Sequence, residues 1–264
     1  MERPRVDYDQ LAGAYDARYS VEPLSGITGA LLDLMRRHGC ARVLEVGCGT
    51  GHWLAELAPH AHLVCGVDPA LGMLRQAARK FDALPLVAAP ANALPFTAGS
   101  FDLIFSVNAV HHFADAAAFI ADASRLLTSR GVLAIVGIDP RLIRHRYFYE
   151  YFEGTCEIDR RRYPAVGDVV NWMAAAGFER IDYRIVDRYE RVFRGREVLA
   201  DPFLRKDSNS LLALLSDNEY RQGIDRIDAA IAAAEGQGSE AEFLYYLDFQ
   251  MIAGWRRRSE TPRP

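Results

Sequence analysis

Three glycines at alternate positions, Gly47, Gly49 and Gly51, follow the run Val43 to Val46 and precede a helical stretch from His52 to Ala58. The pattern predicts a strand, a tight turn and the start of a helix. Without a Cβ, such a turn takes positive φ and lets a ligand approach the backbone, while the new helix offers unpaired N–H groups. Glu45 sits inside the strand, where a carboxylate is costly to bury without a positive partner. A second acid, Asp68, closes the next apolar run, LVCGVD, and is followed by Pro69. A carboxylate there either caps the next helix or takes a pair of vicinal hydroxyls in two hydrogen bonds. Open parallel sheets bind ligands at that edge.

Two further groups have chemistry to offer. His111 and His112 follow the apolar run Phe101 to Val107 and Asn108. Adjacent histidines point in different directions, so at most one faces a pocket there. Imidazole titrates near neutral pH and suits a general base, whereas the plainer reading makes both of them padding for the next helix. From Asp139 to Arg162 the composition shifts to Arg, His, Tyr and Phe. This reads as a solvated helix with an aromatic face or as a pocket wall presenting His145, Tyr147, Tyr149 and Tyr151 to a substrate. Arg146 would then favour an anionic or aromatic acceptor. Cys40, Cys48, Cys65 and Cys156 show neither CxxC spacing nor matching histidines, so free thiols are expected, with neither a zinc site nor a disulfide framework.

The elements that must position these residues follow the apolar periodicity. Ile27, Leu31, Leu34, Met35 and His38 have helical spacing and stop at Gly39. Strands are predicted over Leu84 to Ala88, over Phe101 to Val107 and over VLAIVGI after Gly131, with helices at Leu71 to Phe81 and Phe119 to Leu127. A continuous apolar run such as VLAIVGI fits a parallel strand covered on both faces. A helix from Asp168 to Ala176 stops at Gly177, and FERIDYRIVDRYERV follows as an alternating strand. Residues 196–236 form a helical insertion, with a capping box at Ser216 and Glu219 and a stripe of Tyr220, Ile224, Ile227 and Ile231. It is expected to cover the pocket or pair with a second copy. EFLYYLDFQMIAGW returns as an antiparallel last strand, and RRRSETPRP is a polar tail expected to be disordered.

Half of the 264 residues are apolar, enough for a sizeable core in one domain spanning 1–264. The net charge of −4 supplies no basic field for nucleic acid, and no apolar run is long enough to span a bilayer. A cytoplasmic enzyme without a membrane or nucleic-acid partner is the expectation.

The E-x-G-x-G-x-G run from Glu45 to Gly51, the acid at Asp68, and the ALPF and SFDLIFS phrases resemble class I S-adenosylmethionine-dependent methyltransferases. The likeness is to the small-molecule, type 11 and quinone-biosynthesis-like group, and it extends from about Asp7 to Gly177. It implies an α/β, Rossmann-like, doubly wound seven-stranded sheet, mostly parallel with an antiparallel last strand, plus helical lid insertions. Residues 26–190 and 242–256 would form the core, and a helix over 6–20 would fold over the cofactor. S-adenosylmethionine would be the cofactor, S-adenosylhomocysteine the product, and a small molecule the acceptor of its methyl group. Within that resemblance Tyr15 and Arg18 become lid contacts to the methionine end. Glu45, Gly47, Cys48, Gly49 and Gly51 form the loop that admits it, Asp68 with Pro69 takes the ribose, and Met73, Ala91, Asn92 and Ala93 hold adenine. Asn108 borders the transferred methyl group. The family's usual acid before the Ala-x-x-Leu-Pro-Phe run is here Pro90, which leaves adenine to the Ala91 N–H, the Asn92 amide and stacking on Met73. A nicotinamide oxidoreductase would need G-x-G-x-x-G and lacks the ALPF and SFDLI phrases. The alternative is a protein that binds S-adenosylmethionine for cyclisation or regulation without transferring methyl.

Overall fold

The computed structural model describes residues 24–81 and 84–256. The chain opens with α1 (Ser25–His38), β1 (Arg42–Val46), α2 (His52–Leu57), β2 (Leu63–Asp68), α3 (Leu71–Lys80), β3 (Leu86–Ala88) and β4 (Phe101–Val107). It continues with α4 (Ala116–Leu126), β5 (Leu127–Gly137), α5 (Tyr147–Tyr151), α6 (Thr155–Arg162) and α7 (Val166–Ala175). β6 (Phe178–Arg194), α8 (Asp217–Glu235) and β7 (Glu242–Arg256) complete it. One seven-stranded sheet results, in the order β3-β2-β1-β4-β5-β7-β6. β3, β2, β1, β4 and β5 pair parallel, and β7 lies antiparallel between β5 and β6.

Burial on both faces of the parallel strands explains their unbroken apolar runs. Val43, Leu103 and Phe105 pack toward α1 and α2, against Ile27, Leu31, Trp53 and Leu54. Leu44, Ile104 and Leu133 pack toward α4 and α7, against Phe119, Ile120, Val169 and Met173. α1 stops where expected: Gly39 takes φ 62° and its N–H reaches the Met35 carbonyl, a left-handed C-terminal cap. The Ser216–Glu219 capping box also forms.

β5 begins at Leu127, directly after α4, earlier than the VLAIVGI run suggested, and its pairing with β4 is irregular between Phe101 and Leu103. The Arg- and Tyr-rich segment forms two short helices, α5 and α6. Together with the insertion they build an aromatic core on the α1 face, where Tyr147, Phe148 and Phe152 meet Val198, Leu212, Ile227, Ile231 and Phe243. The predicted lid helix over 6–20 and the polar tail after Arg256 lie outside the described residues. Among the described residues no helix is long and apolar enough to cross a membrane, and Cys40, Cys48, Cys65 and Cys156 are free thiols.

Candidate cofactor and acceptor site

At the carboxyl end of β1 the chain turns through Gly47, Gly49 and Gly51, all at positive φ (77°, 52° and 79°). Gly47 and Cys48 both donate to the Val67 carbonyl, at 2.8 and 3.1 Å, which clamps the turn to β2. Gly47 has a second constraint, since a Cβ there would lie 2.4 Å from the Ala109 Cβ. The glycine loop and the segment after β4 therefore touch, and only glycine fits between them.

Asp68 ends β2 and is aimed by two backbone donors. Its Oδ2 accepts from Gly49 N–H at 2.9 Å and its Oδ1 from Ala70 N–H at 2.8 Å. It does not cap α3, whose N-cap is Ala70 without a side-chain bond. Both oxygens are thereby held at the carboxyl edge of the sheet, beside the glycine loop.

Glu45 is 1% exposed, and neither carboxylate oxygen has a hydrogen-bond partner. Burial drives its pKa well above the ordinary 4.5, the nearby Asp68 charge adds to this, and the Leu54 N–H offsets part of it without reaching hydrogen-bond geometry. An orphaned acid beneath a glycine loop is expensive for an empty protein and well placed for a cationic ligand group. Burial also raises the Cys48 thiol well above its usual range.

The adenine-side residues form a turn, closed by Ala93 N–H to the Pro90 carbonyl at 3.1 Å. Ala91 is buried, while Pro90, Asn92 and Ala93 are exposed. Met73 is fully buried on α3, and Pro69 is exposed beside Asp68. Tyr15 and Arg18 lie outside the described residues.

Next to the glycine loop, the carboxyl ends of β4 and β5 and the middle of β7 border a cleft lined by Asn108, His111, Asp139, Tyr163 and Gln250 among others. Asn108 holds a left-handed conformation (φ 50°), with its N–H on the Val136 carbonyl at 2.8 Å. His111 is 8% exposed and stacks on the Tyr163 ring, with centroids 3.8 Å apart and planes 15° from parallel. His112 packs against His111 but does not line the cleft. Burial raises the Tyr163 hydroxyl pKa. Asp139 accepts from Arg141 N–H at 2.9 Å, from the Arg141 guanidinium at 3.1 Å and from Val166 N–H at 3.1 Å. Arg141 also donates to the Tyr163 and Arg160 carbonyls, at 3.2 and 2.7 Å, and so fixes the turn that carries Tyr163.

The expected acceptor contacts are placed elsewhere. His145 is exposed against Tyr246, while Tyr147 is fully buried and donates to Asp201 at 2.6 Å. Tyr149 donates to Asp159 at 3.0 Å, and Tyr151 packs on Phe243. None of the four lines the cleft. Arg146, expected to draw an anionic acceptor, is buried and paired with Asp159 at 2.6 Å. Neither does the insertion line the cleft; it packs on the α1 face. Three polar cleft residues were not singled out in the sequence: Asp139, Tyr163 and Gln250. Gln250 carried a signal, as a lone amide in the apolar run QMIAGW of β7.

The strand order, the glycine turn after β1 and the acid ending β2 define a class I methyltransferase fold. Residues 44–135 match a family model described as a methyltransferase domain. In that stretch the chain is similar to class I S-adenosylmethionine-dependent methyltransferases. It is 34% identical over 143 residues to a malonyl-[acyl-carrier protein] O-methyltransferase of Hahella chejuensis, covering 50% of this chain and 51% of that protein. It is 28% identical over 206 residues to a demethylmenaquinone methyltransferase of Roseiflexus castenholzii, covering 68% and 86%. The YcgJ protein of Bacillus subtilis superposes with a TM-score of 0.57 at 20% identity, over 86% of this chain and 97% of that one. The chain spans 37%, 51% and 63% of the length of the three malonyl-[acyl-carrier protein] O-methyltransferases it matches. S-adenosylmethionine is the family's cofactor, and the residues at this edge suit it. Glu45 is buried there with both carboxylate oxygens unpartnered, and Asp68 is held beside it by two backbone N–H groups.

Proposed function

We propose that this protein transfers the methyl group of S-adenosylmethionine to a small-molecule acceptor held in the cleft beside β4, β5 and β7. One observation carries this reading: Glu45, buried with both oxygens unpartnered, shares a sheet edge with the glycine loop, with Asp68 and with the cleft. In this reading Glu45 ionises against the cofactor's amino group. Gly47, Cys48, Gly49 and Gly51 receive the methionine end, and Asp68 beside Pro69 takes the ribose hydroxyls. Met73, Ala91, Asn92 and Ala93 hold adenine, and Tyr15 and Arg18 close over the cofactor. Asn108 separates the cofactor from the cleft.

When bound, S-adenosylmethionine supplies a methyl group on a positively charged sulfur that leaves readily. The chain's task is to hold the acceptor in line with it and exclude water, which is worth up to about 7–11 kcal/mol in favourable cases. His111 is the histidine that takes the acceptor's proton, supported by its place in the cleft. His112, outside the lining, supports it from behind. A cytoplasmic location is part of the same reading, as is a small-molecule acceptor rather than nucleic acid; the net charge of −4 supports the latter.

A second reading, cofactor binding without methyl transfer, is favoured by Pro90 in the position of the family's adenine-binding acid. Incubation with S-adenosylmethionine and a panel of phenols, amines and enolisable ketones separates the two. Methyl transfer yields S-adenosylhomocysteine in step with a methylated product, and His111→Gln lowers the rate about 10²- to 10⁴-fold for a hydroxyl acceptor. Cofactor binding with no acceptor-dependent S-adenosylhomocysteine would favour the second reading.

A further inference from the structure

Gln250 lies on β7 opposite Gly137, at the mouth of the cleft. It is 6% exposed, and no hydrogen bond from another described residue reaches its side-chain amide. The Asn108 amide, on the neighbouring wall, is likewise without one. Gln250 is buried and Asn108 half-buried, and both amides line the same cleft, where each can donate to and accept from a ligand.

The charges around them narrow the ligand. Among the described residues no lysine or arginine lines the cleft. The Arg141 guanidinium is spent on Asp139 and on the Tyr163 and Arg160 carbonyls, and that of Arg162, 6.0 Å from the centre of the Tyr163 ring, is paired with Asp159. An anionic acceptor would thus find no lysine or arginine to pair with on the described wall. A cationic one fares little better, because Arg141 already neutralises Asp139, the one acid in the lining. The stacked Tyr163 and His111 rings supply a flat apolar wall.

We infer that Gln250 is a specificity-determining residue which, with Asn108, hydrogen-bonds an uncharged, planar acceptor bearing a hydroxyl or carbonyl group and lying along the Tyr163–His111 wall. An amide both donates and accepts, so it matches a phenol, an enol or a ring carbonyl and offers nothing special to a carboxylate. This inference rests on the methyltransferase reading and names the acceptor class for that same site.

Saturation-transfer NMR on the protein saturated with S-adenosylhomocysteine tests it, with phenol, benzamide and benzoate as probes. Phenol and benzamide bind to the wild type, and benzoate binds at least tenfold more weakly. Gln250→Leu weakens the neutral probes about three- to tenfold, the worth of one or two neutral hydrogen bonds, and leaves S-adenosylhomocysteine affinity unchanged. Gln250→Glu, nearly the same size, guards against a folding artefact, and it weakens benzamide while repelling benzoate further. The inference is overturned if benzoate binds as well as the neutral probes or if both variants keep full affinity for them. It is also overturned if no neutral probe binds a protein that holds S-adenosylhomocysteine. Failure to bind S-adenosylhomocysteine at all would instead overturn the methyltransferase reading beneath it.

Discussion

Two regions of this molecule bury charge, and they do so in opposite ways. Beneath α5 and α6, Asp159 is 1% exposed and satisfied on both oxygens. Oδ2 accepts from Arg146 at 2.6 Å and from Tyr149, and Oδ1 meets Arg162 at 3.3 Å. Nearby, Asp201 accepts from Tyr147 and from Phe203 N–H. At the sheet edge Glu45 is as deeply buried and meets no partner at all. The first region pairs its carboxylates with neighbouring arginine, tyrosine and backbone donors, although the Arg146 Nε is left without a partner. The second keeps acceptor capacity open in front of a backbone loop that only glycine can form.

Breaking the paired region should cost the most. Asp159→Ala leaves two arginines near one another without their carboxylate, and removing one partner of a buried ion pair costs about 3–5 kcal/mol. The expected result is a matching drop in urea-unfolding free energy, with cofactor affinity unaltered in the fraction that remains folded. If stability holds, the two regions do not differ in the way described.

The glycine loop sharpens the contrast at a smaller scale. Gly47→Ala and Gly39→Ala both force alanine into positive φ, at about 1–2 kcal/mol of backbone strain each. A Cβ at Gly39 meets nothing within 4 Å, whereas at Gly47 it runs into Ala109. Gly47→Ala should therefore lose more stability than Gly39→Ala, and only Gly47→Ala should lose S-adenosylhomocysteine affinity. Equal losses in calorimetry for the two variants would remove the link between the loop and the segment after β4.

The smallest effect, and the one with a diagnostic sign, belongs to Glu45. Its native pKa is raised by burial, so between its ordinary value of 4.5 and that raised value the folded protein holds a proton that the unfolded chain has released. Stability of the cofactor-free protein then falls as pH rises through this window and levels off above it. Glu45→Gln should remove that part of the slope and leave the protein at least as stable at neutral pH. Asp201 contributes a slope of the same sign, through its own burial, in both proteins. Only the difference between wild type and variant in urea midpoints across pH is therefore informative, and parallel curves would mean that Glu45 is not desolvated.

The glycine loop, Asp68 and the limits of β4 were legible because they depend on local rules: residue-specific φ, alternation and strand length. Phe101 to Val107 was read as a strand from its apolar run and is one. Of the two readings of the aromatic and basic stretch 139–162, the pocket wall is not borne by Tyr147 or Arg146, which do not line the cleft, for a physical reason. Tyr147 and Arg146 look like ligand contacts until their partners are known, and those partners, Asp201 and Asp159, lie 54 and 13 residues away. Sequence spacing carries no sign of that pairing. Gln250 was hidden in a similar way, since its importance comes from facing Gly137 across β5 and β7 and not from any neighbour in sequence.

The most direct test of the central claim is calorimetric titration with S-adenosylmethionine and S-adenosylhomocysteine of wild type, Asp68→Ala and Asp159→Asn. The account predicts binding by wild type and by whatever Asp159→Asn remains folded. In Asp68→Ala it predicts a collapse of about tenfold or more, as expected when a charged hydrogen-bond acceptor is removed. Undiminished binding by Asp68→Ala, or no binding by a folded wild type, would contradict it.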